Sequence, residues 1–148
     1  MNSIDTNGKG KLRARVTTAG ITMPLTGAKV TVSRFAEDGK GEDILYTAYT
    51  DENGLTDFFI LDAPPSGNSE SPESTGPAYA SYNMTVTKDG YYTVKNIGIP
   101  IFEGVSSAQP VVMLPLSAGI GDVDGNTIYY YENNGYENLE SDHTEKRG

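Results

Sequence analysis

Residues 82–92 read YNMTVTKDGYY, and they carry the clearest fold signal in the chain. Tyr82, Met84 and Val86 alternate with polar residues, which is the period-two pattern of a half-buried strand. The Lys-Asp-Gly that follows is typical of a turn, because Gly adopts backbone conformations that other residues avoid. The stretch therefore predicts a strand, a tight turn and a second strand that starts near Tyr91.

The same combination of turn and strand occurs at two earlier places. Residues 24–32, PLTGAKVTV, put a Pro and Gly turn before an alternating strand. Residues 50–56, TDENGLT, put an Asn-Gly turn between two runs rich in apolar residues, which predicts a hairpin. Apolar residues occupy both registers of 55–61, so the pattern leaves open which face of that strand is buried.

Seven strands are predicted, at a spacing typical of an all-β sandwich. They lie at residues 11–18, 28–33, 44–50, 55–61, 82–87, 91–99 and 111–116. No segment shows a sustained helical period. We therefore expect a seven-stranded antiparallel β-sandwich with Greek-key connections, of the transthyretin-like or immunoglobulin-like class. Pro110 and Pro115 restrict the last strand to an edge or to short pairing.

The sandwich is expected to occupy residues 10–117. Residues 1–9 are polar and predict a flexible lead, and residues 118–148 are acidic with few aliphatic side chains, which predicts a disordered tail. Residues 62–78 are rich in Pro and Ser and predict a long loop of the kind that often carries function.

Composition restricts the possible partners and chemistry. The 148 residues include no Cys and one His, and the net charge is −9. This charge disfavours nucleic acids and anionic membrane surfaces as partners. No apolar run approaches the roughly 20 residues of a membrane span, and the N-terminus does not resemble a signal peptide. We expect an intracellular protein, or one that is spore-associated or released without a classical signal.

The sequence offers little for catalysis or metal binding. His143 lies in the predicted tail, where a catalytic triad could not hold it rigidly. Residues 122–126, DVDGN, are similar to the start of a calcium-binding loop, but Thr127 and Asn133 replace its glycine and its bidentate glutamate. We therefore expect an acidic turn there, no metal, no cofactor and no enzymatic activity.

The ten tyrosines, in a chain without Trp, are the remaining candidates for function. Tyrosines in strands commonly pack across the sheet, whereas exposed tyrosines contact proteins or sugars through an apolar ring with a polar tip. Both interpretations stay open for the candidate interaction surface, which consists of Tyr91, Tyr92, Tyr129, Tyr130 and Tyr131.

The segments at 24–32, 50–54 and 82–91 together resemble the carboxypeptidase regulatory-like domains, which are transthyretin-like (prealbumin-like) β-sandwiches. Residues 89–104, DGYYTVKNIGIPIFEG, and 109–116, QPVVMLPL, are most similar to the accessory module of clostridial spore cortex-lytic and peptidoglycan-binding proteins. The resemblance covers residues 10–117 and implies an accessory module without catalytic residues. It transfers no site residue, because the shared positions are turn and core positions.

The expected function is therefore that of a non-catalytic β-sandwich module for protein–protein interaction or structural assembly, in a bacterial spore or cell-envelope setting. The expected partner is another protein or a second copy of the chain, and neither nucleic acid nor a membrane. The alternative is an accessory module that binds carbohydrate or peptidoglycan through exposed tyrosines.

Overall fold

The structure is a computed structural model that describes residues 8–19, 22–65, 78–119 and 126–132. Within these ranges the chain forms eight strands and one short 3-10 helix. They are β1 (Gly8–Thr18), β2 (Lys29–Phe35), β3 (Glu42–Tyr49), β4 (Phe59–Ala63), β5 (Ala80–Thr87), β6 (Thr93–Ile101), β7 (Ser106–Met113), the 3-10 helix (Leu116–Ala118) and β8 (Thr127–Tyr131). The all-β prediction is confirmed, with eight strands where seven were expected.

The strands form two sheets that pack as a sandwich. One sheet has three strands in the order β4-β1-β7, and the other has five in the order β3-β2-β5-β6-β8. β1 pairs with β7, and β6 with β8, in parallel, so the expectation of a purely antiparallel sandwich is wrong. Two strands that a short turn joins can pair only in the antiparallel orientation, whereas parallel pairing requires a long connection. β1 and β7, like β6 and β8, are far apart in the sequence, so they can pair in parallel.

The core lies between the two sheets and follows the alternation that the sequence predicts. Along β1, Leu12, Ala14 and Val16 point inward, while the residues between them point outward. Full burial of an aliphatic or aromatic side chain contributes about 1.5–3 kcal/mol, so this single interface is the main source of stability. The buried cluster consists of Leu12, Ala14, Val16, Ala28, Val30, Val32, Phe59, Leu61, Ala63, Tyr82, Met84, Val86, Val94, Ile99, Ile101, Val111 and Met113.

The turn at residues 51–54 does not close a hairpin, which corrects the sequence prediction. It carries the chain from β3 in the five-stranded sheet to β4 in the three-stranded sheet. The Asp51 carboxylate accepts hydrogen bonds from the backbone N–H groups of Asn53 (2.8 Å) and Leu55 (3.0 Å). The turn chemistry was therefore predicted correctly, but the two strands that it joins belong to different sheets.

A buried threonine on each side of this crossing forms a hydrogen bond with the backbone of one of the two sheets. Thr50 accepts a hydrogen bond from the backbone N–H of Ala28 (2.9 Å), and Thr56 accepts one from that of Ala14 (3.0 Å). The return segment thus bonds to β1 before β4 begins. In β4 the inward residues are Phe59, Leu61 and Ala63, which settles the register that the sequence left open.

The predicted disordered tail is wrong for Thr127–Tyr131, which forms strand β8 beside β6. The segment TIYYY consists of β-branched and aromatic residues that favour strands, and this local preference outweighs its acidic surroundings. At the other end, β1 begins at Gly8, before the expected boundary at residue 10. Residues 66–77 of the predicted loop, residues 122–125 of the calcium-like motif, and His143 lie outside the described residues.

Candidate interaction surfaces

The five tyrosines of the predicted surface do not form one patch. Tyr92 is buried, and Tyr91 is partly buried against the core. Tyr129, Tyr130 and Tyr131 are exposed on β8. Tyr92 is therefore wrong as a surface residue, and the other four residues divide between the start of β6 and an edge of the sheet.

Strand β3 forms an exposed edge with several apolar side chains, and the sequence analysis assigned no function to it. Among the described residues β3 pairs only with β2, so it is an edge of the five-stranded sheet. Ile44 is 69% exposed and Tyr49 is 62% exposed, and Leu45 and Tyr46 are also accessible. The signal that could have identified it is its sequence: residues 44–49 read ILYTAY, with neither charge nor proline.

The edge at β4, by contrast, is capped by side chains from the other sheet. The Tyr46 hydroxyl donates a hydrogen bond to the carbonyl of Ile60 (2.8 Å), and the Tyr82 hydroxyl donates one to that of Asp62 (2.6 Å). Burial first, and the nearby Asp62 charge second, raise the pKa of Tyr82. These two carbonyls are thus satisfied within the molecule and are less available to an added strand.

The edges at β7 and β8 are also less open than β3. β7 contains Pro110, which lacks a donor N–H, and the Gln109 side chain donates a hydrogen bond to the Pro110 carbonyl (3.2 Å). β8 has five residues, whereas β3 has eight. Natural proteins usually protect edges with prolines, charges, bulges or short strands. Residues 44–49 of β3 contain no proline and no charge, and their one irregularity is a register shift between Ile44 and Tyr46, opposite Ser33 and Val32.

A cluster of polar side chains crosses the outer face of the five-stranded sheet and holds the start of β3. The Glu42 carboxylate accepts hydrogen bonds from Ser33 on β2 (2.6 Å) and Asn83 on β5 (3.3 Å), and it forms an ion pair with Lys95 on β6. Partial burial opposes ionisation of Glu42, but the three hydrogen bonds outweigh it and lower the pKa. The Asn83 side chain also accepts a hydrogen bond from the backbone N–H of Gly98 (3.1 Å).

The outer face of the five-stranded sheet is otherwise rich in threonine and tyrosine. Strand pairing aligns Thr47, Thr31, Thr85, Lys95 and Tyr129 across all five strands. Thr31 lies between the inward-facing Val30 and Val32, so this row faces outward. Hydroxyl groups next to an aromatic ring form a polar surface that is suited to hydrogen bonding and stacking.

Two surface depressions lie at opposite ends of the sandwich. One, of about 290 Å³, is lined by residues that include Lys9, Arg34, Tyr46 and Asp62; the other, of about 500 Å³, includes Lys29 and Tyr91 in its lining. The described residues contain no group of three or more His, Cys, Asp or Glu that could hold a metal ion. In the same part of the chain, no helix has the length and apolar character to cross a membrane.

Neither protein-family models nor curated proteins match this sequence. Among solved structures, the chain is similar to the Bacillus anthracis TIE protein, with 22% identity over 73% of this chain and 17% of that one, at a TM-score of 0.47. It is also similar to a DUF3823 family protein from Parabacteroides merdae, with 13% identity, 73% and 47% coverage and a TM-score of 0.42.

A third similar structure is the wild-type catechol 1,2-dioxygenase of Acinetobacter radioresistens, with 12% identity, 76% and 53% coverage and a TM-score of 0.46. The chain therefore spans from about a sixth to about half of the length of these three proteins. At these identities and TM-scores, no binding or catalytic property transfers from these proteins to this chain.

Proposed function

We propose that the protein is a non-catalytic β-sandwich module for protein–protein interaction and structural assembly, and that it assembles with a second copy through β3. The observation that carries this proposal is an eight-residue edge strand whose residues 44–49 are uncharged and free of proline, and all of them except the half-buried Ala48 are exposed. Such an edge presents unpaired N–H and C=O groups that another strand can extend.

A second copy fits this edge because a strand can pair with itself across a two-fold axis. The copies would meet antiparallel, which is the orientation in which β3 already pairs with β2. Each copy contributes the same surface, so the interface closes on itself as a dimer. The two five-stranded sheets would join into one continuous sheet, and the exposed Ile44 and Tyr49 would pack across the new junction.

The experiment compares two pairs of lysine substitutions by sedimentation velocity over a range of protein concentrations. One variant, Ile44→Lys with Tyr49→Lys, puts charge on β3. Its control, Val105→Lys with Val112→Lys, adds the same charge at exposed apolar residues of the β7 region. We expect the wild type and the control to dimerise and the β3 variant to stay monomeric.

Two results would contradict the proposed assembly. The first is a wild-type chain that stays monomeric at every concentration. The second is equal loss of association in both variants, because that would indicate a general effect of charge with no special role for β3. Thermal melts of both variants, measured alongside, establish that each is folded.

The family and the biological setting belong to the same proposal. We propose that the chain is a carboxypeptidase regulatory-like module that acts in a bacterial spore or cell envelope; the support is the resemblance of residues 89–104 and 109–116. Fractionation of the producing cells tests the setting. The protein is expected with the spore or envelope fraction, and recovery only in the soluble fraction would contradict it.

A second candidate function is binding of carbohydrate or peptidoglycan on the outer face of the five-stranded sheet. It is favoured by the threonine row that ends at Tyr129, with Tyr131 two residues further along the same face of β8. In a peptidoglycan pull-down, Tyr129→Ala with Tyr131→Ala should abolish retention. Tyr130→Ala, on the opposite face of the strand, is the matched control. Absence of wild-type retention would eliminate this candidate.

A further inference from the structure

A row of four positive charges lies on the outer face of the three-stranded sheet, opposite the sheet that contains β3. The outward-facing residues of the central strand β1 are Lys9, Lys11, Arg13 and Arg15 in succession. They are four of the 11 Lys and Arg residues in a chain of net charge −9. Side chains on one face of a strand repeat about every 6.8 Å, so the row extends about 20 Å.

Contacts within the molecule account for only part of this row. Lys9 forms an ion pair with Asp62, and the pKa of Lys9 is raised, mainly by the hydrogen bond to that carboxylate. Neither Lys11 nor Arg15 forms an ion pair with any residue in the described ranges. Like charges aligned on one face repel one another, so folding alone gives no reason to collect cations here.

Arg13 is held in place between these two cations. Its guanidinium lies 4.3 Å from the centre of the Phe58 ring, and its Nε donates a hydrogen bond to the carbonyl of Thr56 (3.0 Å). Stacking on an aromatic ring fixes the plane of the guanidinium while leaving other N–H groups available to an anion. Arg13 therefore loses less conformational entropy when a partner binds than a freely moving side chain would.

Beyond the Lys9–Asp62 pair, the neighbouring strands place uncharged residues beside the row. Ile60 pairs with Lys11 from β4, and Ala108 and Pro110 lie beside Arg13 and Arg15 from β7. A surface of this kind matches a partner that combines acidic and apolar side chains. It matches a long polyanion less well, because a polyanion extending past the row would meet the repulsive field of a molecule with net charge −9.

We propose that this face binds an extended acidic segment of a protein partner, which lies along β1 with its carboxylates against Lys11, Arg13 and Arg15, while Lys9 stays paired with Asp62 at the end of the row. Alternate side chains of an extended peptide repeat at the same spacing of about 6.8 Å as the cations. Arginine is well suited to such a partner, since its fork of N–H groups binds carboxylates in a bidentate manner. This surface is separate from β3, and its existence does not depend on the proposed dimer.

The test measures binding of the full chain to a synthetic peptide of alternating Glu and Thr by titration calorimetry at low ionic strength. The peptide with Gln in place of Glu and a single-stranded DNA oligonucleotide serve as the comparison ligands. The substitutions Lys11→Gln with Arg15→Gln remove the two cations that lack an ion pair. The control, Lys29→Gln with Lys40→Gln, removes the same charge from exposed positions elsewhere.

We expect the wild type to bind the Glu peptide and not the Gln peptide. The β1 variant should bind about tenfold more weakly, because two exposed ion pairs of up to about 1 kcal/mol each are lost. The control variant should lose much less. Equal weakening in both variants, or no preference for Glu over Gln, would overturn the proposal and leave the row as a solvated face. Tighter binding of the oligonucleotide would overturn it in favour of a nucleic acid.

Discussion

Single residues at the crossing between the sheets decide how the chain changes layers. Gly54 has a positive φ of 76°, and a Cβ atom there would lie 2.4 Å from the carbonyl oxygen of Val16. Its backbone N–H donates a hydrogen bond to the carbonyl of Asp51 (2.9 Å). Glycine is therefore required at this position both by the backbone conformation and by the close approach of β1.

Gly54→Ala should destabilise the protein more than the same change at Gly39. Gly39 has a nearly identical φ of 77° and open space around it, so it isolates the cost of the backbone conformation. That cost is about 1–2 kcal/mol at either site, and overpacking adds about 1–3 kcal/mol at Gly54. Urea unfolding of both variants measures the difference, and equal losses would show that β1 does not constrain the turn.

The two tyrosine hydroxyls that bond to β4 should contribute different amounts to the unfolding free energy, because one tyrosine is buried and the other is accessible. Tyr82→Phe removes a part-buried hydrogen bond made by a side chain that is only 2% exposed, and it should cost about 1 kcal/mol of unfolding free energy. Tyr46→Phe should cost less than about 0.5 kcal/mol, since Tyr46 is accessible and water can replace its hydroxyl. Thermal melts of the two variants test this order, and the reverse order would refute it.

Individual elements were easier to predict from the sequence than the way in which they pair. Strict alternation located β1, β2 and β5, because one face of each is buried against the other sheet. The sheet to which β4 belongs was not predictable, since a turn such as DENG serves a hairpin and a crossing equally well. Likewise, the residues of β8 favour a strand locally, but no local pattern reveals that the strand pairs with β6.

The candidate site was predicted less well than the fold. The hydrophobic pattern does not say which strand will lie at an edge, so the openness of β3 became visible only from the sheet order. The cations of β1 were apparent in the sequence as the polar half of an alternating strand. The kind of partner that this surface fits depends on the uncharged neighbours from β4 and β7. These neighbours come from distant parts of the sequence.

The polar cluster around Glu42 ties the start of β3 to three other strands, so its loss should destabilise that edge. Glu42→Gln removes the ion pair with Lys95 and should lower the unfolding free energy by about 1–2 kcal/mol at neutral pH. Glu37→Gln, at an exposed position in the turn between β2 and β3, is the control. Urea unfolding is the measurement, and equal effects of the two changes would contradict a role for the cluster.

The contribution of Glu42 should also depend on pH. Because its pKa is lower in the folded protein than in the unfolded chain, its stabilising effect is complete above the unfolded value of about 4.3. The effect is lost as the pH falls through the lower, folded value. The difference in stability between the wild type and Glu42→Gln should thus shrink on acidification, and a constant difference would refute the assignment.

At the scale of the whole molecule, the net charge of −9 opposes the association of two copies. Salt screens such repulsion, with a screening length of about 8 Å at physiological ionic strength. Dimerisation through β3 should therefore strengthen as salt is raised, whereas binding of an acidic peptide to β1 should weaken. Sedimentation and calorimetry over the same salt series measure both trends, and parallel trends would show that the two surfaces do not act as described.

The central claim is that β3 meets a second copy of itself, and cysteine cross-linking tests it most directly. The chain has no cysteine, so a single substitution introduces the only thiol. Single cysteines at Ile44, Thr47 and Tyr49 sample the exposed edge, and Val112→Cys on β7 is the control. Under mild oxidation we expect disulfide-linked dimers at one or more of the β3 positions and not at Val112. Equal cross-linking at Val112, or none at any position of β3, would contradict the claim.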